Sequence, residues 1–284
     1  MQFAVFTASL PEWSPQEAVQ EIADAGYDGV EWRVTDQPPV TKHASGFWSG
    51  NRCTWPLSSF ADDVPAIRAL SESAGLGMPS IGSYVRCNEP EQVDYVLGAV
   101  SALGVPQVRI SLPGYDDDRP WRTQWDAARK DYETVEQLAK KHGVKALAEI
   151  HHRTVSFSPH AARRFVDGRD PAHVGVIHDI GNMVYEGWTP YRMGLEILED
   201  YLAHVHVKSG RWLPGDPRPD GTVGWAATWA AMRTGQVDFV QLFEALRTVG
   251  YDGWVSIEDF ATELPLAERI RDNVKLLHAV SGRG

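Results

Sequence analysis

Residues 25–32 read A-G-Y-D-G-V-E-W, and residues 249–256 read V-G-Y-D-G-W-V-S. In each copy a glycine ends an amphipathic run, the residue type that closes helices in the left-handed conformation. A short apolar, β-rich run then begins. Two helix-to-strand junctions of matching composition, one near each end of the chain, point to a repeated strand–helix unit.

Reading outward from these junctions, the same alternation fills the chain. Apolar runs predict strands at residues 2–7, 29–34, 78–84, 107–112, 144–151, 174–179, 203–208 and 253–258. Each is followed by a helical pattern. Ser14-Pro15-Gln16-Glu17 opens the first helix with a Ser cap and a Glu at the third helical position. Gly75 and Gly143 close later helices in the manner of Gly26. Strict alternation implies parallel strands joined by right-handed crossovers, and eight units favour closure over an open sheet. The expected fold is a single-domain (β/α)8 barrel over residues 1–284. Two connections, residues 35–59 and 209–237, are long. They follow the second and seventh strands, at the rim where such barrels build their sites, and are read as lids.

Composition narrows the partners. The 284-residue chain carries 27 Lys and Arg against 38 Asp and Glu, a formal net charge of −11. An acidic chain with no basic run is a poor partner for nucleic acid or an anionic membrane. No apolar run approaches the roughly 18 residues that a membrane span needs, and the N-terminal stretch lacks the pattern of a secretory signal. A cytoplasmic location is expected. Two cysteines, Cys53 and Cys87, make no disulfide framework and are expected as thiols. Five of the 11 tryptophans, Trp48, Trp55, Trp212, Trp225 and Trp229, fall in loop-like segments and suggest stacking on a ligand or partner.

The chemistry gathers at strand ends. The fifth strand ends Glu149-Ile150-His151, the sixth His178-Asp179, and the eighth Ile257-Glu258-Asp259. The seventh reads His204-Val205-His206-Val207-Lys208. Alternation puts Glu149 and His151 on one face, and likewise His204, His206 and Lys208. Carboxylates converging on one rim repel each other unless protonated or bridged by a cation. Two Glu, one Asp and one imidazole suit a divalent ion: Mn2+ first, with Mg2+, Co2+ and Zn2+ as alternatives.

Four segments carry a family resemblance: ALAEIHH (residues 146–152), VIHDIGNMVYEG (176–187), LAHVHVKS (202–209) and GWVSIEDF (253–260). Together they make the chain resemble the xylose isomerase-like barrel superfamily, in its sugar phosphate isomerase/epimerase branch. That branch includes ketose 3-epimerases, hydroxypyruvate isomerases and inosose dehydratases. The resemblance implies Glu149, Asp179, His206 and Glu258 as the ligands of one metal ion, with His206 rather than His204 taken from the His-x-His strand. It implies that Glu149 and Glu258 also exchange protons with the substrate. Asn182 stands where many epimerases and inosose dehydratases carry a His. The Glu149-x-His151 pair is similar to barrel proteins acting on 3-oxo sugars, including catalytic subunits of carbon–glycoside deglycosidases.

The implied function is a divalent-metal-dependent isomerase or epimerase acting on a monosaccharide or keto sugar through an enediolate. The alternative is a lyase or dehydratase eliminating from a 3-keto sugar or 3-keto glycoside. His151 is the best titratable candidate for an extra acid or base, and Lys208 for binding an oxyanion or donating a proton. Asn182, Arg109 and Trp212 are assigned to substrate binding, with pairing to a rim carboxylate as the alternative for Arg109. His152, His173, His178 and His204 are read as structural. No Gly-rich phosphate cradle is evident. A small sugar is the expected partner, and both a homo-oligomer and a hetero-complex are left open. A nuclease would need a richer His cluster and a basic surface. A silent binding barrel would have no use for four retained ligands.

Overall fold

In the computed structural model, residues 1–38 and 45–282 are described. Among them eight parallel strands close into a barrel: β1 (Gln2–Phe6), β2 (Gly29–Val34), β4 (Ile81–Ser83), β5 (Gln107–Arg109), β6 (Lys145–Glu149), β7 (Val174–Asp179), β8 (Leu202–Val207) and β11 (Trp254–Ile257). Each pairs in parallel with its neighbours, and β1 closes the ring by pairing with both β11 and β2. The expected strands all form, most of them trimmed by a residue or more at the ends.

Local chemistry sets the helices. Ser14 caps α1 (Pro15–Ala25): its hydroxyl accepts from the Glu17 amide while Glu17 Oε2 accepts from the Ser14 amide at 2.7 Å. The outer layer continues through α2 (Phe60–Ser73), α3 (Pro90–Leu103), α4 (Trp121–His142) and α5 (Pro159–Val166). It is completed by α7 (Tyr191–Leu198), α8 (Phe239–Thr248) and α9 (Leu266–Ser281). Their apolar faces bury Ile22, Ile67, Phe165 and Phe243 against the barrel wall. Helix α6 (Ile180–Glu186), absent from the expected elements, starts directly where β7 ends.

Both long connections hold structure. After β2, Thr54–Trp55 form a short strand, β3, parallel to β2, and Trp55 packs edge-on against Trp32. Residues 39–44 of that connection lie outside the described residues. The connection after β8, read as a lid, is regular in structure. It is an antiparallel hairpin of β9 (Ser209–Pro217) and β10 (Val223–Ala230). The Asp220-Gly221 pair turns it, with Gly221 at φ +83°, a conformation that L side chains rarely adopt. Among the described residues no helix is long and apolar enough to cross a membrane. Cys53 and Cys87 are buried and free.

Candidate active site

Strand register assembles the acidic cluster. Asp179 is the β7 partner of His206 on β8. Glu149 ends β6. Glu258 follows β11, its amide donating to Val207 O at 3.0 Å. One ligand atom from each of Glu149, Asp179, His206 and Glu258 lies within 4.8 Å of the others, and all four side chains are buried. Donors held at roughly 2.0–2.6 Å from a common ion stand at most about 5 Å apart, so the set has the dimensions of a divalent site. His206 Nδ1 supplies a second sign of fit. It is buried without a hydrogen-bond partner among the described residues and faces carboxylate oxygens of Glu149, Asp179 and Glu258 at 3.9, 4.0 and 3.9 Å.

Each ligand is aimed by a neighbour. Asp179 is also the N-cap of α6: one oxygen accepts from the Asn182 amide at 3.0 Å, leaving the other for the cluster. Glu149 accepts from Arg109 Nη1 at 2.8 Å and from Asn182 Nδ2 at 3.2 Å. His206 turns its Nε2 to Glu31 Oε2 at 3.0 Å, and the same oxygen meets His204 Nε2 at 3.0 Å. Glu31, on β2, escaped the sequence reading. Its signal was a carboxylate inside the otherwise apolar start of a strand, Gly29-Val30-Glu31-Trp32. Glu31, His204 and His206 also group closely enough to hold an ion. Their side chains are wholly buried, however, and their facing atoms already bond one another. Only the Glu149–Glu258 group opens to a cavity.

Lys208 reaches into the same cluster, where its ammonium donates to Asp179 and Glu258. A Cβ at position 181 would fall 2.1 Å from Lys208 Cγ, so glycine is what admits the side chain. The charges interlock. Burial pushes the Asp179 carboxyl up to about 7, against the pull of Lys208 and with the push of Glu258 and Glu149. Burial works against the charge on Glu149 too, yet Arg109 holds that carboxyl below the usual range. His206, penalised by burial, is raised to about 9 by Glu31. Lys208 is likewise raised, the carboxylates outweighing its desolvation.

A cavity of about 410 Å3 opens over the cluster, reached by Glu149, Glu258, Lys208, Arg109, Asn182 and His151. Its walls include Trp48, Phe260, Trp229, Tyr185 and His152. Trp48 and Trp229 both pack on Phe260, at 4.5 and 5.5 Å, and Trp229 packs on Tyr185 at 4.7 Å. The Lys208 ammonium lies 5.4 Å from the Trp229 ring centre. Trp212 lies outside this cavity: its indole donates to Val184 O at 2.6 Å, and Trp229 of the facing strand takes the place on the wall. Trp225 is 61 % exposed. His152, read as structural, lies on the wall, its Nδ1 at 3.1 Å from Asn182 Oδ1. His151 stacks on His152 with ring centres 4.2 Å apart.

Residues 19–280 match the xylose isomerase-like TIM barrel family, and the chain belongs to it. An inosose dehydratase of Lacticaseibacillus casei is 25 % identical over 259 residues, 86 % of this chain and 81 % of that protein. Two crystal structures are similar in fold. One is 3-keto-D-glucoside 4-epimerase, YcjR, from E. coli, with TM-score 0.72 and 18 % identity, covering 98 % of this chain and 99 % of that one. The other is an IOLI protein with a binding zinc atom, with TM-score 0.74 and 16 % identity, covering 100 % and 99 %.

Proposed function

We propose that this chain is a divalent-metal-dependent isomerase or epimerase acting on a monosaccharide or keto sugar. The observation that carries the reading is the convergence of Glu149, Asp179, Glu258 and the His206 Nδ1, unpartnered among the described residues, with Glu149 and Glu258 opening to the cavity. In this reading those four side chains hold one ion, Mn2+ first among the candidates, and a sugar stands above it. Such an ion, when bound, polarises a carbonyl and the adjacent hydroxyl and acidifies the carbon-bound hydrogen between them.

The protein's own groups do the rest. Glu149, kept ionised by Arg109, serves as a base toward that hydrogen. Glu258 passes a solvent-derived proton to the other face while Glu149 releases its proton to solvent, which gives epimerisation; return of the Glu149 proton at the neighbouring carbon gives isomerisation. Lys208, competing with a dication for Asp179 and Glu258, turns its ammonium toward a substrate oxygen and stabilises developing negative charge. Asn182 positions Glu149 and His152, and the aromatic wall keeps water from the reacting carbon.

A second reading, a dehydratase eliminating from a keto sugar, is favoured by the inosose dehydratase relatives and by His151 beside the cluster, a candidate acid for a departing oxygen. The test for the shared first step is NMR in D2O. Mn2+-loaded protein should replace one carbon-bound hydrogen of a ketose or a 3-oxo sugar with deuterium. Absence of exchange across a panel of both classes, with bound metal verified by elemental analysis, overturns the reading.

A further inference from the structure

We propose that a groove leading away from the acidic cluster is a subsite for the second ring of a glycoside, so that the substrate is a sugar bearing a ring-shaped aglycone rather than a free monosaccharide. The inference rests on the reading above, that the sugar itself sits over Glu149 and Glu258.

The cavity over the cluster does not end there. A second, of about 370 Å3, shares Glu149, His151 and His152 with it. A third, of about 390 Å3, continues past Arg153 and Thr154, which line both outer cavities. One loop, residues 149–157, therefore walls the whole groove, from a cluster carboxylate to Phe157 at the far end. The inner cavity is by itself large enough for a small ligand, and so is each of the outer two. A monosaccharide seated in the inner one leaves the outer space with nothing to bind.

The outer cavity is built rather than left over. Arg153 holds φ +55°, in the left-handed region that non-glycine residues avoid. It is fixed there on three sides. Its amide donates to Glu186, its carbonyl accepts from the Tyr115 amide at 2.7 Å, and its guanidinium donates to Asp117 Oδ2 at 2.7 Å. A β-bridge between Gly114 and Thr154 ties the loop after β5 to the loop after β6. An isolated exposed Phe157 would mean little on its own. Here it faces the same cavity as Trp121 and Tyr115, three aromatic side chains from two loops and a helix start. The Arg153 guanidinium of that cavity is already held by Asp117, and Asp117 and Glu186 make the rim acidic. The chemistry rejects an anion and suits a neutral ring with an apolar face, either an aromatic aglycone or the C–H face of a second sugar.

The test uses Mn2+-loaded protein and the 3-oxo sugar that exchanges fastest in the deuterium screen, because its glycosides keep the C3 carbonyl whereas a ketose glycoside has none; exchange by ketoses alone overturns the subsite. The 3-oxo sugar is supplied free, as its methyl glycoside, as its p-nitrophenyl glycoside and as a glucose-terminated disaccharide. KM for at least one ring-bearing form should be 10-fold or more below that of the methyl glycoside. Phe157→Ala and Trp121→Leu should each raise that KM about 5- to 10-fold, with the methyl glycoside unaffected. Which ring-bearing form gains identifies the aglycone as aromatic or sugar. Phe157 is exposed enough for its truncation to leave folding intact. Equal KM values for all forms, or a gain untouched by both substitutions, overturn the subsite while the proposed function stands. A screen in which no sugar exchanges overturns the proposed function itself.

Discussion

Glu31 Oε2 and His206 Nε2 stand 3.0 Å apart in the barrel interior, and that bond turns the other ring nitrogen of His206 toward three carboxylates. A carboxylate behind an imidazole fixes its tautomer and raises its basicity toward a metal. Glu31→Gln keeps the volume and one acceptor but removes the charge. Metal affinity should fall about 10-fold or more, read by competition with a chelator, while the circular dichroism spectrum stays that of the parent. Unchanged affinity would mean that His206 needs no help from β2.

Lys208 is the cation that neutralises Asp179 and Glu258 when no other is present. Lys208→Met removes that charge and keeps most of the packing. The metal-free protein should lose stability, because buried carboxylates then face each other unscreened. Binding of Mn2+ should restore more than it gives the parent, since the ion no longer displaces an ammonium. The rise in Tm on adding saturating Mn2+ should exceed the parent's by about 3 °C or more. An equal or smaller rise would show that Lys208 and the ion do not compete.

The difference between what sequence disclosed and what it hid follows from geometry. Glu149, Asp179, His206 and Glu258 were legible because each lies at or near the C-terminal end of its strand, and a barrel brings those ends together. Glu31 was not, because its partners sit on β8, 173 and 175 residues away, and come near only once the ring closes. The choice of Trp212 over Trp229 for the cavity wall had another cause. Trp212 and Trp229 share one face of the hairpin, with Trp212 opposite Ala227 and Trp229 opposite Gly210, so which of them reaches the cavity depends on position along the hairpin. The Asp220-Gly221 turn signal could have exposed that hairpin. Arg109 lay open to two readings, substrate contact or ion pair with a rim carboxylate, and distance alone brings out its bond to Glu149.

His178 is on the opposite face of β7 from Asp179, wholly buried, with neither ring nitrogen hydrogen-bonded among the described residues. Burial lowers its pKa to about 4. The unfolded chain, near 6.5, therefore takes up a proton before the folded one does. Stability contributed by the neutral ring is present above pH 6.5 and is lost as pH falls toward 4. His178→Leu removes this linkage. Between pH 7 and pH 5 its denaturant-unfolding free energy should fall less than the parent's by on the order of 2 kcal/mol. Parallel declines in the two proteins would show that His178 is not the group responsible.

His151 separates the two functional readings. Isomerisation moves one proton between carbons, a task that Glu149 and Glu258 suffice for in the proposed mechanism. Elimination also expels an oxygen that must gain a proton, which calls for a further acid. His151 lines the cavity two residues beyond Glu149, its Nδ1 at 2.8 Å from His152 O, and its ring stacked on His152. The carbonyl fixes the orientation of one nitrogen and leaves Nε2 to act. If the chain is a lyase, His151→Ala should still exchange the substrate's acidic hydrogen with D2O, while product formation falls by about 100-fold or more, the usual worth of a general acid. If it is an isomerase or epimerase with His151 as a base or a binding group, exchange and product formation should fall together. Equal rates in variant and parent on both measures would remove His151 from the chemistry and leave the proton transfers to the two glutamates.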